Sequence, residues 1–285
     1  MTILFDGIAS GVLLFLISVG LSVTLGLMKF VNLAHGAFAM FGGYVCVTLL
    51  NREGVPFLAT LPVVIVASAV VGVVLERLLY RRLYGASDLD QVLFSLGLVF
   101  VSISSAQFLF GSQQQPLQLP AMLSGQLHLP GFDIGVYRLF MIVVGFALAI
   151  ALQWMIAYTA FGARLRASVD NQRAARGLGI DVDRVFVATF ALGSALAGLG
   201  GALGIEMIGL DPELPVKYIV YFLIVVAVGG SGTIKGSLYA SLLLGVFDVL
   251  GKYYVPQVGA FVIYAVMIVV LIVRPQGLFG RTLTR

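Results

Sequence analysis

The sequence predicts an all-α fold, a polytopic membrane bundle of about eight to ten transmembrane helices that includes broken or re-entrant elements. Two observations predict it. Nine stretches of the chain are apolar enough to lie in a bilayer, and 60% of the 285 residues are hydrophobic while 11% are charged. A soluble domain carries about 25% charged residues, so the composition excludes an ordinary soluble protein.

The nine apolar stretches are joined by short polar links. In chain order they cover residues 7–28, 33–50, 56–75, 91–110, 136–158, 185–208, 218–228, 234–250 and 259–273. Asp6 precedes the first stretch without a basic residue, so we expect a retained helix and not a cleaved signal peptide. The seventh stretch is too short to cross a bilayer upright, which predicts a broken or re-entrant element.

Basic residues are concentrated in three links, which predicts the orientation of the chain. These links follow the third, fifth and ninth stretches and contain Arg77, Arg81, Arg82, Arg164, Arg166, Arg173, Arg176, Arg184, Arg274, Arg281 and Arg285. Cytoplasmic loops of membrane proteins are enriched in Lys and Arg, and an even number of stretches separates each link from the next. We therefore expect all three links and the C-terminus in the cytoplasm, and the N-terminus outside.

Two further segments have a composition that predicts their role in the fold. Residues 193–202, in the sixth stretch, are mostly Gly, Ala and Ser, and small residues let helices pack closely in lipid. This stretch is therefore predicted to be central. Residues 111–135 are polar and contain Pro116, Pro120 and Pro130, which favours an ordered external loop over a helix. The loop is either a connector or a docking surface.

Catalytic and cofactor-binding patterns are missing from the sequence. It has two histidines and one cysteine, Cys46, which is too few for a typical metal cluster. The Gly-rich residues 229–236 lack the Gly-Lys-Ser/Thr of a phosphate-binding loop, and no histidine follows Ser231. We predict that the chain is not an enzyme and binds no cofactor. Because the arginines lie in short loops, we also predict no nucleic-acid partner.

Ionisable residues inside the apolar stretches are few. His35 either caps a helix at the membrane interface or lies in a translocation path. Asp248 is predicted to be interfacial and to pair with Lys252 four residues later. Glu206, Asp211 and Glu213 are placed at the external surface. No chain of acids and bases suggests a proton-driven carrier, and no segment has charges for both ends of an amino acid.

The arginine-rich segment, residues 161–184, is predicted to contain a short helix. Ser168 or Asp170 is a candidate N-cap, Gly179 is a candidate left-handed terminator, and Asp181 or Asp183 is expected to start the sixth stretch.

A pair of alanines, Ala174 and Ala175, keeps one face of this short helix slim, and Ile180 is expected to fold back as an apolar contact. Such an element either fits a groove on a cytoplasmic protein or is a solvated loop at the membrane surface. The residues alone leave both alternatives open.

Four segments resemble known transport proteins. Residues 171–180 resemble the coupling loop of bacterial ABC-importer permeases. The segments 26–36, with Asn-Leu-Ala-His-Gly, 228–237, and 274–280, Arg-Pro-Gln-Gly-Leu-Phe-Gly, resemble the LivH family of branched-chain amino-acid permeases. The resemblance extends over residues 7–280. It implies that residues 1–285 form a single ABC-importer transmembrane domain, with a cytoplasmic coupling loop at about 161–184.

The resemblance also implies partners and a substrate. The expected assembly contains a second homologous permease, two ABC ATPase subunits that use ATP and Mg²⁺, and a periplasmic substrate-binding protein. It lies among the lipids of the bacterial inner membrane, with the N-terminus periplasmic. The expected substrates are leucine, isoleucine, valine or related amino acids. The alternatives are urea or short amides in the same family, and a self-sufficient secondary carrier or channel.

Site residues follow from the matching motif positions. The residues expected to engage the ATPase are Asn171, Ala174, Ala175, Leu178 and Gly179. Those expected at a broken helix near the translocation path are Asn32, His35 and Gly36.

Overall fold

The computed structural model describes residues 2–28, 30, 32–117, 119–129, 132–230 and 232–280. Its helices are α1 Thr2–Met28, α2 His35–Asn51, α3 Phe57–Leu78, α4 Asp88–Phe110, α5 Val136–Tyr158, α6 Ala160–Asp170, α7 Gln172–Gly177, α8 Val182–Ile208, α9 Leu214–Gly229, α10 Ile234–Tyr254 and α11 Gly259–Val273. A 3-10 turn at Tyr80–Leu83 follows α3, and an antiparallel hairpin of β1 (Gln126–Leu129) and β2 (Phe132–Gly135) precedes α5.

Each of the nine predicted apolar stretches forms a helix, so the all-α membrane bundle is confirmed. Six helices in the described residues are long and apolar enough to cross a bilayer: α1, α3, α4, α5, α8 and α10. The remaining apolar helices are shorter, with 17 residues in α2, 16 in α9 and 15 in α11. The external loop contains the β-hairpin and no helix in its described part, as its prolines predicted.

The bundle has a buried centre and an exposed outer layer. In the most apolar stretch of each helix, 83% of the α1 residues and 78% of the α8 residues are buried, against 22% in α3, α4 and α5. The predicted central position of α8 is therefore confirmed. Its glycines allow this packing: the backbone of Leu16 in α1 lies 2.8 Å from where a Cβ of Gly200 would stand, and Gly201 lies directly against the backbone of Ala39 in α2.

Contacts between elements define the two ends of the bundle. At the arginine-rich end, Asp183 pairs with Arg81 and Arg176. The segment 274–280 lies at the same end, because the Leu278 N–H donates to the Val228 carbonyl oxygen at the end of α9 (2.7 Å). Arg281 and Arg285 lie outside the described residues. The described parts of the three basic links therefore share one end, as the sequence predicted.

The opposite end, called the far end below, contains the external loop and the α8–α9 link. The Asn51 side chain donates to the Pro116 carbonyl oxygen (3.0 Å), and the Gln115 N–H donates to the Leu210 carbonyl oxygen (2.8 Å). Arg138 at the start of α5 pairs with Asp6 in α1. The first two contacts attach the loop to the end of α2 and to the link after α8, and the third joins α5 to α1.

Candidate functional site

The start of α2 is built around Asn32, which is buried. Its side-chain oxygen accepts hydrogen bonds from the Ala34 N–H (3.1 Å) and from the Tyr80 hydroxyl (2.9 Å). Tyr80 is itself fully buried between the rings of Phe30 and Phe190. Burial raises the pKa of this hydroxyl, so it stays protonated and remains a donor to Asn32.

His35, the first residue of α2, lies beside the middle of α1. Its Nε2–H donates to the Ile17 carbonyl oxygen (3.0 Å), and its ring meets Phe222 of α9 edge to face. The residue is only 2% exposed, so the interfacial alternative for His35 is wrong. Gly36 lies against the backbone of Pro215, where a side chain would collide. The helix therefore starts inside the bundle, as expected of a broken element.

The short helix α7 lies at the arginine-rich end, and specific residues define its start and its end. Asn171 is its N-cap and accepts a hydrogen bond from the Ala174 N–H (3.0 Å), whereas Ser168 and Asp170 belong to α6. The prediction of Ser168 or Asp170 as the cap is therefore wrong, because Asn171 adopts the extended backbone that a cap requires. Gly179 is left-handed with φ of +80°, as predicted.

The two faces of α7 differ in exposure. Ala175 is 2% exposed and packs on an apolar cluster with Tyr80 and Leu165, and Ile180 also contacts this cluster. The Ile180 N–H donates to the Ala175 carbonyl oxygen (3.0 Å), so the predicted fold-back of Ile180 is confirmed. Leu178 points the other way and is 81% exposed. Asp181 caps α8 by accepting from the Arg184 N–H (3.1 Å), which decides between the two predicted aspartates.

Three of the four segments that carry the resemblance meet at the arginine-rich end. Gly232 lies against the backbone of Gly26, and Gly277 against that of Gly230. Gly230 and Gly277 have positive φ and no room for a side chain, so these glycines are required by close approach as well as by conformation. Ser231 lies outside the described residues.

The far end contains a cavity of about 510 Å³ that sequence reasoning missed. Asp248 and Lys252 form an ion pair on its wall (2.6 Å), as their spacing predicted, and Asp248 is 6% exposed. Asp211 and Lys217 form a second pair there (2.7 Å). The only sequence signal for this cavity was that Asp211 and Asp248 were both placed on the predicted external side.

Comparison with known proteins decides the family. Residues 3–271 match the family described as branched-chain amino acid transport system, permease component.

The chain belongs to this family.

The permease is similar to curated proteins over nearly its whole length. The branched-chain amino acid permease protein BraD of Pseudomonas aeruginosa is 28% identical, with 98% of this chain and 95% of BraD covered. LivH of Escherichia coli K12 is 27% identical over 98% of this chain and 94% of LivH. A probable LivH of Methanocaldococcus jannaschii is 29% identical, with 94% and 89% covered. No solved structure matches the chain.

Proposed function

We propose that this permease is the membrane subunit of a binding-protein-dependent ABC importer that translocates leucine, isoleucine, valine or related amino acids. The chain is not an enzyme in this proposal. Two partner ATPase subunits hydrolyse ATP with Mg²⁺, a second homologous permease completes the pathway, and a periplasmic protein delivers the substrate. The assembly lies in the bacterial inner membrane with the arginine-rich end and the C-terminus in the cytoplasm.

One observation supports this proposal above the others: α7 exposes a leucine outside the apolar bundle. Leu178 is 81% exposed although it follows a capped helix whose other face is firmly packed. An exposed apolar side chain on a rigid support gains free energy when a partner covers it. The arginines around it favour a protein surface over a lipid-buried position.

The five residues of the coupling site have different roles in this proposal. Ala174 and Leu178 are exposed and form the face that enters the ATPase groove. Ala175 is buried against its own chain, so it serves as the anchor through which a movement of α7 reaches the bundle. Asn171 and Gly179 hold the two ends of the short helix in shape.

Asn32, His35 and Gly36 have a place in this proposal at the inner wall of the translocation path. They lie where α2 begins beside the middle of α1, at half the depth of the bundle. Helix starts at this depth are found in transporters where polar groups serve a substrate or a gate. The His35–Ile17 hydrogen bond joins α1 to α2 there.

Ala174→Trp tests the coupling assignment. A tryptophan on the exposed face of α7 blocks the groove contact without entering the apolar bundle, so we expect at least a tenfold loss of ATP-dependent leucine uptake by proteoliposomes containing the whole assembly. Gly85→Trp is the matched control, because Gly85 is exposed at the same end with open space around it. Equal uptake by the Ala174→Trp assembly and wild type, with equal yield of folded protein, contradicts the assignment.

Two alternatives are distinguished by the same preparation. A self-sufficient carrier or channel transports leucine without nucleotide or ATPase subunits, and the assembly proposed here does not. A permease for urea or short amides is recognised when these compounds, but not valine, compete with the delivered substrate.

A further inference from the structure

The cavity at the far end has a composition that suits a small zwitterion. Its polar wall contains two carboxylates, Asp211 and Asp248, and two ammonium groups, Lys217 and Lys252. These four charges sum to zero, and Glu213, which lies outside the wall, also pairs with Lys217 at 3.7 Å. Each acid of the wall is paired with a lysine, at 2.7 Å and 2.6 Å.

The cavity also has an apolar side from α1 and α8, which consists of Leu13, Leu14, Ile17, Met207 and Ile208. The remaining lining residues are Ser10, Gln114, Tyr218 and Tyr221. Ser10 and Ile17 mark the extent of the cavity along α1, which is about 10 Å at 1.5 Å per residue. The apolar side therefore reaches the middle of α1, where the Ile17 carbonyl oxygen accepts the hydrogen bond from His35.

Asp248 carries an unused acceptor at this cavity. Its Oδ2 accepts from Lys252, whereas its Oδ1 is buried without any hydrogen-bond partner, and the side chain as a whole is only 8% exposed. A buried carboxylate oxygen without a donor costs free energy. The terminal torsion of aspartate is broad, so a small rotation presents this oxygen to the cavity. A ligand with an N–H donor would satisfy it.

We propose that this cavity binds the transported substrate as an aliphatic α-amino acid in its zwitterionic form. The ammonium group binds Asp248, the carboxylate binds Lys252, and the aliphatic side chain lies on the surface of Leu13, Leu14 and Ile17. The volume of about 510 Å³ lies within the usual range for ligand sites of roughly 300–1,000 Å³. This inference rests on the proposed function and names the substrate class of its pathway.

The charges of the site also discriminate between substrates. Urea has no charge and no apolar side chain, so it gains little from two ion pairs or from the apolar surface. A site that desolvates charged groups rejects ligands that leave one of them unpaired. Amides and amines lacking the carboxylate, and carboxylic acids lacking the ammonium group, are therefore expected to bind weakly.

The test uses the full chain in lipid nanodiscs with radiolabelled leucine, without nucleotide or partner proteins. We expect saturable binding that isoleucine and valine displace and that leucinamide, 4-methylpentanoate and urea do not. Asp248→Asn and Lys252→Gln are each expected to weaken binding at least tenfold. Lys235→Gln, at the other end of α10 and outside the cavity, is the matched control and is expected to bind as wild type does.

Three results would overturn the site: no saturable leucine binding by wild type, unchanged binding by Lys252→Gln, or displacement by leucinamide or 4-methylpentanoate as effective as by valine. The Lys252 side chain is 54% exposed and a glutamine there can still donate to Asp248, and the thermal midpoint of each variant shows whether it folds. The assay contains no ATPase, so its failure is separate from that of the proposed function, which fails when uptake by the whole assembly is independent of ATP.

Discussion

The two ends of the bundle place their charged side chains differently. At the arginine-rich end, Asp183 pairs with Arg81 and Arg176 on the surface of an apolar cluster, and each of these side chains is about half exposed. Glu76 is an exception at this end, since it is 1% exposed and accepts a hydrogen bond from the Tyr84 hydroxyl (2.7 Å).

At the far end the charges line a cavity, and Asp248 is almost completely buried. Both ends are concave: Leu178 lines a cavity of about 510 Å³ at the first end together with Arg164 and Arg184, and the cavity at the second end has the same volume.

The difference shows which kind of partner each end suits. Exposed ion pairs contribute little to stability, so they can exchange for a partner's charges at low cost. A buried charge costs free energy until a group of opposite charge satisfies it, so it selects a ligand small enough to enter the cavity. Exposed ion pairs beside Leu178 fit protein docking, and a cavity with a buried carboxylate fits a small molecule.

We expect the largest effect from Gly201→Val, which breaks the close contact between α2 and α8 that connects the two ends. A side chain at Gly201 collides with the backbone of Ala39 and forces α2 away from α8. We expect Gly201→Val to lower the free energy of unfolding by about 1–3 kcal/mol or more, and to reduce both leucine binding and ATP-dependent uptake. Thermal unfolding of the purified permease measures the loss of stability.

Gly97→Val is the control for this prediction. Gly97 lies in α4 with open space where its Cβ would stand, so the same substitution avoids any collision. If both variants were equally stable, close packing at Gly201 would not hold the two ends together.

The second effect tests whether the two ends act independently. Leu178→Asp places a charge on the exposed surface directly after α7. We expect at least a tenfold loss of ATP-dependent uptake, with leucine binding by the isolated chain unchanged. Lys252→Gln is expected to lose leucine binding and to keep association with the ATPase subunits, measured by co-purification. A Leu178→Asp chain that loses leucine binding as well would show that the ends are not independent.

A smaller effect is expected inside the arginine-rich end. Tyr80→Phe removes one of the two donors to the Asn32 side-chain oxygen and leaves the Ala34 N–H. We expect a loss of about 0.5–1.5 kcal/mol, because the net contribution of one hydrogen bond is of this size. The measurement is the thermal midpoint. Tyr253→Phe is the control, since Tyr253 is 63% exposed; a Tyr80→Phe midpoint equal to that of the control would contradict the role of this bond.

The smallest effect is expected for Asp183→Asn. It removes the partner of Arg81 and Arg176, but all three side chains are about half exposed, so the loss is below about 1 kcal/mol and shrinks at high salt. Thermal midpoints at low and high salt measure it. A larger loss that salt does not change would mean that these charges are shielded from solvent, as Asp248 is at the far end.

Much of the fold could be predicted because the signals in a membrane chain are local. A long apolar run such as 136–158 must form a helix in lipid, and the structure starts and ends α5 at those residues. The sequence alone does not decide the N-cap of α7, because Ser168, Asp170 and Asn171 are all suitable caps. In the structure α6 ends at Asp170, which leaves Asn171 as the cap. The coupling segment was predictable as a short helix, but the burial of Ala175 and exposure of Leu178 were not.

By itself, the sequence determined the helices, the close packing of α8, the shared end of the described basic links and the resemblance to a transport family. Only the tertiary structure decided that α2 begins beside Ile17 and that two lysine–carboxylate pairs share one cavity with an apolar surface. The reason is the distance along the chain. Helix formation and capping depend on neighbours within a few residues, whereas the cavity joins α1, α8, α9 and α10, and residues as far apart as Leu13 and Asp248 become neighbours only when these helices pack.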